Sequence, residues 1–113
     1  MEDLIMFFKA LSDETRVRLM ALLLKRDYCV CELSEILQES QPKISKHLSK
    51  LRDIGFVKSK REAQYIYYQL TVTDTTMEKI LQNLLESVDK YPILLEDINR
   101  IASCTIRQRG VNK

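Results

Sequence analysis

The stretch from Ser40 to Leu70, SQPKISKHLSKLRDIGFVKSKREAQYIYYQL, leaves few folds open. Pro42 is tolerated in a helix only in the first turn, where its missing N–H would have no partner anyway, and Ser40 stands before it as an N-cap. Ile44, Leu48, Leu51 and Ile54 then recur at helical spacing and make one apolar stripe, with Lys43, Lys46, Ser49 and Lys50 opposite. Gly55 ends the helix at its C′ position. Phe56-Val57 opens a strand, and Tyr65 to Leu70, rich in aromatic and β-branched residues, makes a second. Lys58, Lys60 and Arg61 sit at or near the tip of a hairpin centred on Glu62-Ala63-Gln64.

A helix with one apolar and one basic face, followed by a basic hairpin, fits a winged helix-turn-helix. The helix would enter a major groove and the hairpin would reach the flanking backbone. Charge agrees. From Lys43 to Tyr65 seven Lys/Arg face two acids, a local balance of +5, whereas the whole chain is only +2. Positive charge is therefore concentrated where a phosphate backbone would be neutralised. The plainer alternative is a solvated helix face, and the hairpin placed directly after it weighs against that.

At 113 residues, 45% apolar and 30% charged, the chain has an ordinary globular composition and room for one domain with a small core. Leu4 to Phe8 is too short for a signal peptide, and no run approaches the roughly 20 apolar residues of a membrane span. A cytoplasmic protein with no membrane partner is expected. Three cysteines there are thiols, since an odd count closes no disulfide framework.

In chain order, Met1 to Leu11 reads as a short amphipathic helix with Leu4, Phe7, Phe8 and Leu11 on one side. Ser12 is expected to cap the next helix, whose inner face is Val17, Met20, Leu23 and Leu24; Arg16 and Arg18 are read as solvent-facing or salt-bridged. Lys25-Arg26-Asp27 breaks that helix. A further helix, with Leu33, Ile36 and Leu37 inward, ends near Gln38, and Glu39-Ser40 is the turn. After the hairpin, Thr73 or Asp74 caps a long helix striped by Met77, Ile80, Leu81, Leu84, Leu85 and Val88. That stripe exceeds the needs of one small wing, so a subunit interface is expected; the palindromic operators read by such motifs require a two-fold dimer. Pro92 starts a last helix with Leu94, Ile98 and Ile101 apolar, Cys104 beyond them and Gly110 at its end, and a basic tail follows from Arg107. The division expected is a single domain over 1–113: helix-turn-helix at 31–54, wing at 56–70, and dimerisation and C-terminal helices in 1–11 and 73–113.

Cys29-Val30-Cys31 is where sensing chemistry can sit. Residues two apart on a helix point about 200° apart, but in an extended segment they share a face. The pair must therefore lie before or within a loosened first turn. A helix N-terminus lowers thiol pKa, and thiolates suit a soft ion. Two small residues packing a helix start is the alternative. Cys104 is the remaining thiol and a candidate third ligand, with Glu32, Asp27 and His47 weaker candidates. His47, the sole histidine, is better placed to donate to a phosphate or to a side chain than to bind metal. With no Ser-His-Asp set and only two glycines, an enzyme is not expected.

The segments ALSDETRVRLMALLL, CVCEL, SQPKISKHLSKLRDIGFV and REAQYIYYQL resemble, in order, the signatures of the ArsR/SmtB family of metal-responsive winged-helix repressors, over roughly residues 5 to 85. The resemblance implies a mainly α fold with a small β-hairpin, a homodimer, and a double-stranded palindromic operator released when metal binds. It implies Gln41, Lys43, Ser45, Lys46, His47 and Lys50 as DNA-facing on the recognition helix, and Lys58, Lys60, Arg61, Gln64 and Tyr65 on the wing. It also implies Cys29 and Cys31 as the paired thiolates of the arsenic/antimony-type site, with Cys104 as a positional candidate to complete it. Ser34 stands where the arsenic subgroup often has a third cysteine, and the absence of His from Thr73 to Lys90 removes the post-wing zinc site. The expected function is a repressor with no permanent cofactor, induced by arsenite, antimonite or another soft metal. The alternative is a winged-helix repressor whose cysteines sense redox or persulfide, and a third is a winged-helix module that binds proteins instead of DNA.

Overall fold

In the computed structural model, which describes residues 1–104, six helices and three short strands follow the apolar periodicities of the chain. Helix α1 (Glu2–Ala10) buries Phe7 and Ala10 but leaves Phe8 about half exposed, so Leu4, Phe7, Phe8 and Leu11 do not form one inner face. Helix α2 (Glu14–Lys25) is capped by Asp13, whose carboxylate accepts from the Arg16 N–H at 3.0 Å. Ser12, the expected cap, instead donates its hydroxyl to Lys9 O at the end of α1. Aspartate and serine are nearly equal caps, and adjacent candidates compete for one place.

After α2 the chain makes a two-residue strand, β1 (Tyr28–Cys29), that the sequence did not announce. Helix α3 (Val30–Leu37) follows at once, then a three-residue turn and helix α4 (Gln41–Asp53), the helix-turn-helix pair. Ser40 caps α4, with Pro42 in the first turn, and Ile44, Leu48 and Leu51 are buried. Strands β2 (Val57–Glu62) and β3 (Tyr65–Leu70) form the wing hairpin, in register from Val57 opposite Leu70 to Glu62 opposite Tyr65. β1 pairs antiparallel with β3, Tyr28 against Tyr68 and Cys29 against Tyr67, so the sheet has three strands in the order β1-β3-β2. The hairpin turns at Ala63-Gln64, with Ala63 in the left-handed region at φ 56°.

Helix α5 (Thr75–Glu86), capped by Asp74, buries Met77 and Leu81. It ends two residues before Val88, which belongs to a single 3₁₀ turn (Val88–Lys90), so the long stripe is interrupted. Helix α6 (Pro92–Ser103) begins with Pro92 at its first turn and closes at Ser103, with Cys104 as its C-cap. Gly110 and the basic tail from Arg107 lie outside the described residues. Among the described residues no helix is long and apolar enough to cross a membrane. The core joins Phe7 of α1, Leu19 and Met20 of α2, Leu33 of α3 and Leu48 of α4 beneath the sheet.

Gly55 ends α4 at φ +90°, and Phe56 N–H returns to Leu51 O at 2.9 Å. A Cβ added there would meet nothing within 4 Å. The cost of Gly55→Ala is therefore conformational only, about 1–2 kcal/mol for a left-handed residue with a side chain. The unfolding free energy from a urea titration is expected to fall by that amount, through a lower midpoint at an unchanged m value; an unchanged midpoint would mean that the backbone there is freer than its φ implies.

Candidate nucleic-acid interface and thiol pair

Lys43, Lys46 and Lys50 project from the outer side of α4 and are exposed, because Ile44, Leu48 and Leu51 anchor the opposite side in the core. Gln41 is exposed at the helix start, and Ser45 is half-buried. On the wing Lys58, Lys60, Arg61 and Gln64 are exposed, and Tyr65 is half-buried, its ring 6.4 Å from that of Tyr67. Helix and wing thus present most of the expected residues as one basic exterior. Two local pairs temper it: Lys43 Nζ lies 3.1 Å from Glu39 and Lys60 Nζ 3.4 Å from Glu62.

His47 is placed differently from its neighbours. Its side chain is only 14% exposed and turns back toward α2, with Nδ1 3.5 Å from Arg16 Nη1 and 3.8 Å from Asp13. The arginine can only donate, so Nδ1 accepts and the ring proton sits on Nε2. Burial holds the imidazole below its ordinary pKa, aided by Arg16, Lys43 and Lys46 and opposed by Asp13. At neutral pH His47 is an uncharged donor and not a cation for phosphate.

The thiols sit at the junction between the sheet and the helix-turn-helix. Cys29 is the last residue of β1 and the N-cap of α3, with extended backbone at φ −88°, ψ 165°. Glu32 completes a capping box, its Oε1 accepting from the Cys29 N–H at 2.9 Å. Cys31 lies in the first helical turn. The strand-to-helix change brings the two sulfurs to 2.8 Å, which two residues apart on a regular helix could not reach. They are already together, so a ligand need not draw them closer.

The electrostatics of the pair reverse an expectation. The Cys31 thiol is pushed up to about 11, first by burial, then by its hydrogen bond with Cys29 and the charge it would share with it. The Glu32 backbone N–H pulls the other way but does not prevail. At neutral pH Cys31 is a thiol and not a thiolate. All three cysteines are outside disulfides. Cys104, 2% exposed at the end of α6, packs into the core cluster. Among the described residues no three His, Cys, Asp or Glu side chains come together to hold an ion, so one subunit does not join Cys104, Glu32, Asp27 or His47 to the pair as a metal cage.

Sequence reasoning missed a buried charge cluster. Arg18, read as solvent-facing or salt-bridged, is the second of these but buried: it is 3% exposed and pairs with Asp97 of α6 at 2.8 Å, a partner the sequence did not name. The hydrogen bond to Asp97 raises its already high pKa. No local pattern marks a pairing between residues 79 apart.

Comparison with known proteins places this geometry. Residues 13–59 match the model of the bacterial regulatory protein arsR family. An arsenic resistance transcriptional regulator of Pseudomonas putida is 51% identical over 65 residues, 56% of this chain and 50% of that protein, so the chain spans about half the length of that relative. The transcriptional activator HlyU of Vibrio cholerae is 36% identical over 81 residues, 71% of this chain and 75% of that protein. The structure of reduced HlyU superposes with a TM-score of 0.67 at 31% identity, covering 80% of this chain and 90% of that one. The transcriptional repressor BigR of Xylella fastidiosa gives 0.65 at 28% identity, covering 74% and 83%. These relatives are transcription regulators and not enzymes. Identity sustained over three quarters of a regulator's length, on a three-stranded winged helix-turn-helix, shows that the chain belongs to the arsR family of bacterial regulatory proteins.

Proposed function

We propose that the chain is a homodimeric repressor that binds a palindromic operator through α4 and the wing, and releases it when arsenite, antimonite or another soft thiophilic species binds Cys29 and Cys31. The observation that carries this reading is the 2.8 Å approach of the two sulfurs at the β1–α3 junction. Thiolates bound to one soft centre with bonds of about 2.3 Å lie roughly 3–4 Å apart, so the pair would open by about 1 Å or less. That opening acts on both DNA-facing elements. Cys29 is laddered to Tyr67 of the wing strand, and Cys31 rides on α3, which leads through the turn into α4. An ion that prefers the opened junction, and DNA that prefers the closed one, must oppose each other by linkage.

The single domain over 1–113 and the dimer belong to the same proposal. Ile5 and Phe8 of α1 share an exposed face, and Ile80, Leu84 and Leu85 of α5 are only partly covered. A second subunit laid along α1 and α5 would bury both. A third ligand, Cys104 included, would then have to come across that interface. A purely oxidative sensor, with Cys104 as resolving thiol, is the rival reading, and it predicts release by diamide and not by arsenite.

The test is an anisotropy titration of a labelled duplex from the region upstream of the chain's own coding sequence, with arsenite, cadmium, zinc and diamide added in turn. Release by arsenite supports the proposal; release by diamide alone would move it to redox sensing. The same duplex tests the interface. Truncating Lys46 or Lys50 to Ala is expected to make log affinity fall less steeply with log salt, by about 1 in slope for each phosphate that is no longer neutralised, and for every duplex sequence alike. Binding indifferent to salt would point to a protein partner instead.

A further inference from the structure

Helix α6 lies outside residues 13–59, yet it is fastened to the helix-turn-helix by charge. Asp97 is 1% exposed and both its oxygens are engaged. Oδ2 accepts from Arg18 Nε at 2.8 Å, and Oδ1 accepts from Arg18 Nη2 at 2.8 Å and from Arg100 Nη2 at 3.1 Å. Neither guanidinium stops there. Arg18 Nη2 also donates to Leu37 O at 2.7 Å, and Arg100 Nε donates to Ile36 O. These carbonyls end α3, whose last turn has no basic residue of its own and whose C-cap, Gln38, is left-handed at φ 57°. Two cations from other helices therefore complement the negative end of α3. Beyond them Arg18 Nη1 lies 3.5 Å from Glu39, and Glu39 lies 3.1 Å from Lys43 in the first turn of α4.

A buried ion cluster is a poor source of stability, because apolar residues of similar size often replace it without harm. Its distinctive property is geometry: a guanidinium fork accepts a carboxylate and a carbonyl in few orientations. Here the fork fixes where α3 stops, and only residues 38–40 separate that point from α4.

We propose that Asp97 is a positioning residue for DNA binding: through Arg18 and Arg100 it holds the end of α3 and so sets the angle at which α4 is presented. Asp97 itself touches no DNA. The inference rests on the DNA-binding reading above and adds α6 to the apparatus that reading requires.

The experiment compares Asp97→Asn and the apolar double variant Arg18→Met/Asp97→Leu with the unaltered full chain. Duplex binding is measured well below each melting temperature. Asp97→Asn is expected to melt lower and to bind about tenfold more weakly while still folded, the range usual for a residue coupled to a site it does not touch. The double variant regains melting temperature but not affinity. If it regains both, or if Asp97→Asn melts lower and binds as before, the cluster only stabilises the fold and the inference is overturned. Should Asp97→Asn not fold, Arg100→Gln removes the hydrogen bond to Ile36 from a partly exposed position, and the same weakening is expected; unchanged binding overturns the inference. If the unaltered chain does not bind the duplex, the DNA-binding reading fails first and takes this one with it.

Discussion

The double variant Cys29→Ser/Cys31→Ser is expected to bind its operator like the unaltered chain and to ignore arsenite. Serine is the informative replacement because of where Cys29 sits. It is the N-cap of α3, and a serine oxygen is a better cap than sulfur, so the start of the helix survives the change. The Glu32 half of the capping box, which accepts from the backbone N–H of residue 29, is untouched by either substitution. What disappears is the soft donor pair. An inducer that couples to DNA by about 1–3 kcal/mol weakens operator binding roughly 5- to 150-fold, and that factor should collapse to near one in the double variant. Isothermal titration of arsenite into the DNA-free protein provides the second reading, since direct binding should vanish together with release. If the double variant still releases DNA on arsenite, the sensing site is elsewhere. If Cys104→Ser alone also abolishes release, the third donor is Cys104, and its burial at the end of α6 makes a route across the dimer the one to test next.

How much of this was legible in the chain depended on whether the signal was local. The recognition helix was, because Ser40, Pro42 and Gly55 each act within one turn of themselves, and the four-residue apolar recurrence fixes the buried side. The wing was legible for the same reason. β1 was not: two residues carry no periodicity, and Tyr28 and Cys29 are a strand only because β3 offers them a ladder. The proximity of Cys29 and Cys31 followed from the strand-to-helix break, but the protonation of Cys31 did not. It is set by how deeply the folded chain buries the sulfur and by the neighbouring thiol, and both outweigh the helix end. For His47 the sequence left two roles open, a phosphate or a side-chain partner, and only the folded chain brings Asp13 and Arg16 of another helix to its ring. Asp97 and Arg100 stand three residues apart on one helix, but nothing local joins Arg18 to them. In sequence each is an unremarkable charge on an amphipathic helix, and the cluster exists only once α2, α3 and α6 have met.

Protonation of Cys31 gives a way to tell inducers apart by pH. Its folded pKa, about 11, is above that of an ordinary thiol, so between about pH 6 and pH 8 it holds its proton in the ligand-free protein. A divalent soft cation such as cadmium must displace that proton to gain a thiolate, and its apparent affinity rises as pH rises. Cys31 alone contributes about a tenfold gain per pH unit, roughly a hundredfold across the window. Arsenous acid behaves otherwise. Each As–S bond forms as a thiol proton leaves with an arsenic hydroxyl as water, so uncharged As(OH)₃ and two thiols give a dithiolate and two waters with no net proton released. Its affinity should be flat over the same range. The measurement is the inducer concentration for half-maximal operator release at about pH 6, 7 and 8, with DNA binding at each pH as its own baseline. A steep slope for cadmium beside a flat one for arsenite is the expected pair of results. A flat cadmium response would mean that Cys31 is already a thiolate when the operator is bound, and that DNA binding itself lifts the sulfur out of the environment that keeps it protonated.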